Sequence, residues 1–130
     1  MKKVIGLCVL LLMFASLCFS AAQYKVTKVT VTAIGTEVPL SATALYSSHV
    51  VIHADSTNTN NIYVGDSTVT AATGMPLAPG EKLYLGDLIR KDSNEAFDLT
   101  KIYIDADTNG NFARVGYVFN RYKGNEPAVQ

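Results

Sequence analysis

The sequence has no tryptophan, only two histidines and only two cysteines, and each shortage closes off some chemistry. Both cysteines, Cys8 and Cys18, fall in the first 22 residues. The chain beyond them therefore has no means of building a disulfide framework or a cysteine-ligated zinc site. Leu7 and Leu17 precede the two cysteines where a lipidation signal needs a small residue, which argues against a lipoprotein. The histidines, His49 and His53, are four residues apart. On a strand they share a face but stand about 13 Å apart at ~3.3 Å per residue, too far to hold one metal together.

Other motifs are missing as well. No G-x-S-x-G elbow accompanies the serines, and Gly65-Asp66 and Pro79-Gly80 read as turns rather than phosphate-binding loops. Asp87, Asp92, Glu95 and Asp98 share a polar stretch where solvated charge is the ordinary explanation, although paired carboxylates can serve a glycosidase. Neither sign of charge dominates: 11 basic residues face 11 acidic ones, and without Lys2 and Lys3 the balance is 9 to 11. Such a balance gives no drive towards nucleic acid or an anionic membrane. A non-enzymatic protein with no cofactor is the expectation.

What is present begins with a targeting segment. Lys2 and Lys3 form a positive start, Val4 to Phe19 is apolar apart from Gly6 and Ser16, and Ser20-Ala21-Ala22 offers small residues for cleavage before Gln23. The apolar run is shorter than the ~18–20 residues of a comfortable membrane span. Residues 1–22 are therefore read as a cleaved signal helix, with a retained membrane anchor as the alternative. Residues 23–130 are read as one small domain, exported to the periplasm, the extracellular space or a virion.

The rest of the chain has strand periodicity. YKVTKVTVTAI from Tyr24 to Ile34, HVVIHA from His49 to Ala54, Ile62 to Val64, Lys82 to Leu85, Lys101 to Ala106 and Phe112 to Tyr122 are the clearest segments. Leu40 to Tyr46 is a less regular candidate, and Ser67 to Ala71 a candidate hairpin partner for Ile62 to Val64. Two prolines between Gly74 and Gly80 exclude an ordinary central strand there. Gly86 to Phe97 is the one place suited to a short helical turn or long loop. Seven to nine short strands separated by turn residues predict an all-β domain of the sandwich or small-barrel kind. The expected core is Val29, Val31, Val50, Ile52, Ile62, Val64, Leu83, Leu85, Ile102, Ile104, Val115 and Val118. Tyr63, Tyr84, Tyr103 and Tyr117 are expected to pack across the sheet, with an outward sugar-binding platform as the other reading.

One loop invites a metal. Asp105-Ala106-Asp107-Thr108-Asn109-Gly110 matches the first half of a D-x-D-x-N-G calcium loop, with Asp105, Asp107 and Asn109 as the oxygen ligands. The twelfth position, which should be a bidentate Glu, is Gly116, and the flanks are strands. A plain Asn-Gly hairpin turn is the better-supported reading, and calcium the lesser one.

Five short pieces, in order, carry a resemblance: PLSAT at Pro39 to Thr43, HVVIHAD at His49 to Asp55, NTNNIYVGDSTVT at Asn58 to Thr70, GMPLAPGE at Gly74 to Glu81 and DLTKIYIDA at Asp98 to Ala106. Together they span about Glu37 to Tyr117. The chain resembles small β-rich proteins encoded among the structural genes of tailed bacteriophages, which serve as head-decoration, fibre or tail-associated subunits. The resemblance implies a β-sandwich or jelly-roll-like fold and assembly rather than catalysis. The leading expectation is thus a structural subunit that self-associates as a trimer or larger, or joins other structural proteins. A secreted carbohydrate-binding or adhesion module for surface glycans, using Tyr and Asn/Asp side chains on one face or in the polar, turn-prone Asp55 to Asn61 loop, is the alternative.

Overall fold

The computed structural model describes residues 23–86 and 96–119. The signal segment at 1–22, most of the expected helical turn (87–95) and the tail from 120 onward lie outside the described residues.

Among the described residues the chain is all-β, with ten strands and no α-helix. They are β1 (Gln23–Thr30), β2 (Val38–Pro39), β3 (Tyr46–Ser47), β4 (Val50–Ala54), β5 (Ile62–Gly65), β6 (Met75–Leu77), β7 (Lys82–Tyr84), β8 (Phe97–Asp98), β9 (Tyr103–Ala106) and β10 (Phe112–Phe119). Every pairing is antiparallel. One sheet runs β1-β10-β4-β7, a second β2-β9-β5-β6, and β3 pairs with β8 alone. The pairs are nested: β1 with β10, β2 with β9, β3 with β8, β4 with β7 and β5 with β6. The chain therefore runs out and back like one long folded ribbon. Rolling that ribbon adds the contacts of β10 with β4 and β9 with β5.

The two four-stranded sheets share one core. Alternation along the central strand β10 turns Ala113, Val115 and Tyr117 inward and leaves Arg114 exposed. The register sets Val29 and Ala54 beside Ala113, and Ile52 beside Val115. From the second sheet Ile62, Val64, Leu77, Ile104 and Ala106 complete the cluster. Ile52, Ile62, Leu99 and Ile104 are fully buried, and each contributes roughly 2–5 kcal/mol against truncation to Ala.

Several expectations need correction. The Asn-Gly turn is present, with Gly110 at φ 86°, a conformation glycine adopts without strain. It does not close a hairpin, because β9 and β10 lie in different sheets; it carries the chain from one sheet to the other. The partner of β5 is β6, not residues 67–71, which form turns closed by Val69 N–H to Asp66 C=O and Gly74 N–H to Thr70 C=O. Pro76 is accommodated because β6 is an edge strand. Of Leu40 to Tyr46 only Tyr46 is in a strand: Leu40 N–H bonds Ile102 C=O, Ser41 N–H bonds Leu99 C=O, and the chain then bends before entering β3 at Tyr46. Leu83 and Ile102 are partly buried at the core's margin, and Val118 points away from it.

Candidate functional site

The residues singled out as ligand candidates meet at one corner of the molecule. Loop 55–61 and turn 107–111 are joined by two buried asparagines. Asn58 grips the backbone of Phe112 like a strand neighbour: its Nδ2 donates to the Phe112 C=O at 2.9 Å and its Oδ1 accepts the Phe112 N–H at 3.0 Å. Asn111 returns the grip, donating to the Asn60 C=O at 3.1 Å and accepting the Thr59 N–H at 3.3 Å. Asn60 Nδ2 donates to Thr108 Oγ1. These bonds replace strand pairing where the chain leaves both sheets.

The calcium-loop candidates are placed in the same corner, each engaged by a protein donor. Asp105 is buried, and its Oδ1 accepts the Ala106 N–H at 2.8 Å and the Gly35 N–H at 3.1 Å. Asn109 Oδ1 accepts the Ile34 N–H at 2.8 Å. Asp107 Oδ2 accepts the Tyr63 hydroxyl at 2.7 Å, and this bond to a carboxylate raises the Tyr63 phenol above its ordinary range. Asp105 and Asn109 thus pin the turn at 33–36, while Asp107 holds Tyr63. Among the described residues no group of three His, Cys, Asp or Glu is placed to hold a metal ion.

A signal that sequence reading passed over is Asp-x-Thr, which occurs at Asp55–Thr57, Asp66–Thr68 and Asp98–Thr100. In all three the Asp Oδ1 accepts both the Thr N–H, at 2.8–3.0 Å, and the Thr hydroxyl, at 2.7 Å. The geometry is that of an Asx-turn reinforced by a hydroxyl. At Asp55 the Thr57 bonds and the Arg114 guanidinium, whose Nε donates at 2.8 Å, hold the carboxyl well below the usual carboxylate range. Thr68 lowers Asp66 in the same way. Asp98, one of the four carboxylates weighed for catalysis, is spent on such a turn; Asp87, Asp92 and Glu95 lie outside the described residues.

The four strand tyrosines do not form one platform. Tyr63 and Tyr117 are buried, Tyr103 is half-buried, and only Tyr84 stands out at 57% exposure. The exposed side chains collect instead on the outer face of the first sheet. There Val26, Gly116, Val51 and Tyr84 are cross-strand neighbours in one row, and Lys28, Arg114, His53 and Lys82 in the next. Tyr24, also exposed, lies over Gly116, where a Cβ would run into its hydroxyl. Lys28 Nζ stands 3.7 Å from the centre of the Phe112 ring, and the Arg114 guanidinium 5.6 Å from it. A cleft of about 360 Å³ opens between the inner side of β1 and residues 38–45, and no histidine, cysteine or carboxylate lines it.

Among the described residues no strand pairs with the outer side of β1. Phe112 C=O accepts from Asp55 N–H and Val118 N–H donates to His49 C=O. Even-numbered residues of β10 thus bond towards β4 and odd-numbered ones towards β1. Across the register this leaves the N–H and C=O groups of Tyr24, Val26 and Lys28 directed out of the sheet. No protein family, curated protein or solved structure matches the chain.

Proposed function

We propose that the protein is an exported, non-enzymatic assembly subunit, a β-sandwich of jelly-roll-like architecture that associates with further copies of itself through β1. The nested strand pairs and two four-stranded sheets support the jelly-roll reading, an architecture used by viral capsid and lectin domains. That analogy concerns fold alone.

The observation that carries the functional reading is the inequality of the four sheet edges. β2 has two residues and contains Pro39; β6 has three and contains Pro76; β7 has three and begins with Lys82. Shortness, proline and lysine are the ordinary devices that stop strand addition. β1 has eight residues and no proline, and it exposes Tyr24 and Val26 beside its outward-directed backbone groups. Its two lysines are compatible with pairing: two β1 strands antiparallel about Val26 set Lys28 of one copy against Tyr24 of the other, cation to ring. This contact joins two copies, so a trimer or larger particle of the phage-like kind requires a second contact.

Light scattering on the chain recovered after export, over a concentration series, tests the proposal. The expected result is a dimer or larger species. Val26→Pro removes one edge N–H that no strand among the described residues pairs with and is expected to give monomers with an unchanged β-type circular dichroism spectrum. A wild-type monomer at the highest concentration, or a variant that still associates, would overturn the assignment.

A further inference from the structure

The composition is balanced, but the fold sorts the charge. Along the row Lys28–Arg114–His53–Lys82 each residue is the direct cross-strand neighbour of the next, on all four strands of the first sheet. Lys28, Arg114 and Lys82 are exposed and His53 half-buried. Among the described residues Asp55 is the one carboxylate in an ion pair with this row, and its bond to Arg114 Nε leaves that side chain 55% exposed. Three formal cations therefore stand against one anion on a face of a chain whose totals cancel.

We propose that this row binds an anionic polysaccharide, a glycan bearing carboxylate or sulfate on successive sugars. Three features fit that ligand. Strands lie about 4.8 Å apart, so the row spans about 14 Å with one basic residue per strand, a spacing comparable to the advance of one sugar along an extended glycan. Phe112, beneath both Lys28 and Arg114, fixes two of the cations in place, which lowers the ordering cost on binding. At the far end Tyr84 offers an exposed ring two residues along β7 from Lys82, on the same face, and an aromatic face suits the apolar side of a sugar. The row is short for a nucleic acid, whose protein partners commonly neutralise about six to ten phosphates. The row shares Lys28 with the β1 edge, whereas Lys82 lies on β7, three strands away; the Lys82→Gln result therefore tests the row independently of self-association.

The test is calorimetric titration of the full exported chain with dextran sulfate oligomers, with oligogalacturonate and with a neutral cello-oligosaccharide, at low and raised salt. Binding to at least one anionic glycan and none to the neutral one is expected, weakening as salt rises. Preference between the first two identifies sulfate or carboxylate as the recognised group. Lys28→Gln and Lys82→Gln should each weaken binding by about 2- to 5-fold, the size expected of exposed ion pairs. Lys101→Gln, an exposed lysine in the turn after β8, should leave it unchanged. The proposal is overturned if neither anionic glycan binds, or if Lys101→Gln weakens binding as much as Lys28→Gln. Tighter binding to oligothymidylate or phosphatidylserine vesicles than to either glycan would overturn it equally.

Discussion

Two regions of this molecule are rich in polar side chains, and they use them in opposite ways. At the corner built from residues 55–61 and 105–111, Asp55, Asn58, Asp105 and Asn111 are buried and each is hydrogen-bonded within the protein. On the outer face of the first sheet, Lys28, Arg114 and Lys82 project into solvent. In the first region polarity substitutes for strand pairing; in the second the charged groups stand largely in solvent, Arg114 paired with Asp55 and Lys28 over the Phe112 ring. A polar residue in a turn-rich loop is thus weak evidence for a ligand site until its partners are known.

The contrast is broken most severely at Asn58. Replacing it with Ala leaves the Phe112 N–H without its partner, at about 1–3 kcal/mol for an unsatisfied group, while the Phe112 C=O keeps the Asp55 N–H. Thermal unfolding of the variant should show a midpoint lower by several degrees or more. An unchanged midpoint would mean that water replaces the asparagine and that the corner is no structural joint.

Acid is the next largest lever. The carboxyl of Asp55 is held below its ordinary value of 3.8 by Thr57 and then by Arg114. A group with a depressed folded pKa stabilises the fold above its unfolded pKa, and that contribution is lost as pH falls towards the folded value. The melting midpoint should therefore decline as pH is lowered from about 4, and Asp55→Asn should flatten part of that decline. Thr57→Val should lower the midpoint more than Thr68→Val, because Asp55 is buried and Asp66 is exposed. Equal effects would remove the distinction between the two turns. On the open face, by contrast, Lys82→Gln and Lys101→Gln should each leave stability within about 0.5 kcal/mol of wild type.

Much of the fold was legible because the long strands alternate. The YKVTKVT segment and HVVIHA showed their inward faces, with Val29 and Ile52 in the core, and FARVGYVF did so for Val115 but not for Val118, which lies on the other face. The short strands were not legible. β2, β3 and β8 have two residues each, and no period can be read in two residues; β2 is held by β9, and β3 and β8 hold each other. β6 was obscured by Pro76, which only its edge position tolerates. Leu77 and Leu99 fill the core from segments in which no strand was expected, and Leu40 from one expected as an irregular strand.

The candidate sites were legible in part. Sequence reading picked out the loop at 55–61 and the one at 105–109, but their meeting depends on bonds between residues about fifty apart, such as Asn58 with Phe112 and Asn111 with Asn60. The basic row was hidden for a different reason. Its members come from four strands, so it exists only once register is known, and the net charge conceals it.

The smallest effect concerns how the apolar row beside those cations is built. Gly116 sits in the middle of β10, where glycine weakens a strand by roughly 0.5–1 kcal/mol relative to Ala. Tyr24 lies across it from β1, and its side chain supplies the three atoms nearest to where a Cβ would stand. An aromatic laid over a strand glycine covers the backbone that a side chain would otherwise cover. Gly116→Ala should therefore be close to neutral: the new methyl improves the strand and displaces the flexible end of Tyr24 in the same step. Tyr24→Ala should cost more in the wild-type background than in the Gly116→Ala background, with a coupling energy of about 0.5 kcal/mol from the double-mutant cycle. Strict additivity would show that Tyr24 gives Gly116 no cover. Its 63% exposure would then be best explained by the β1 edge, where the same ring faces Lys28 of a second copy.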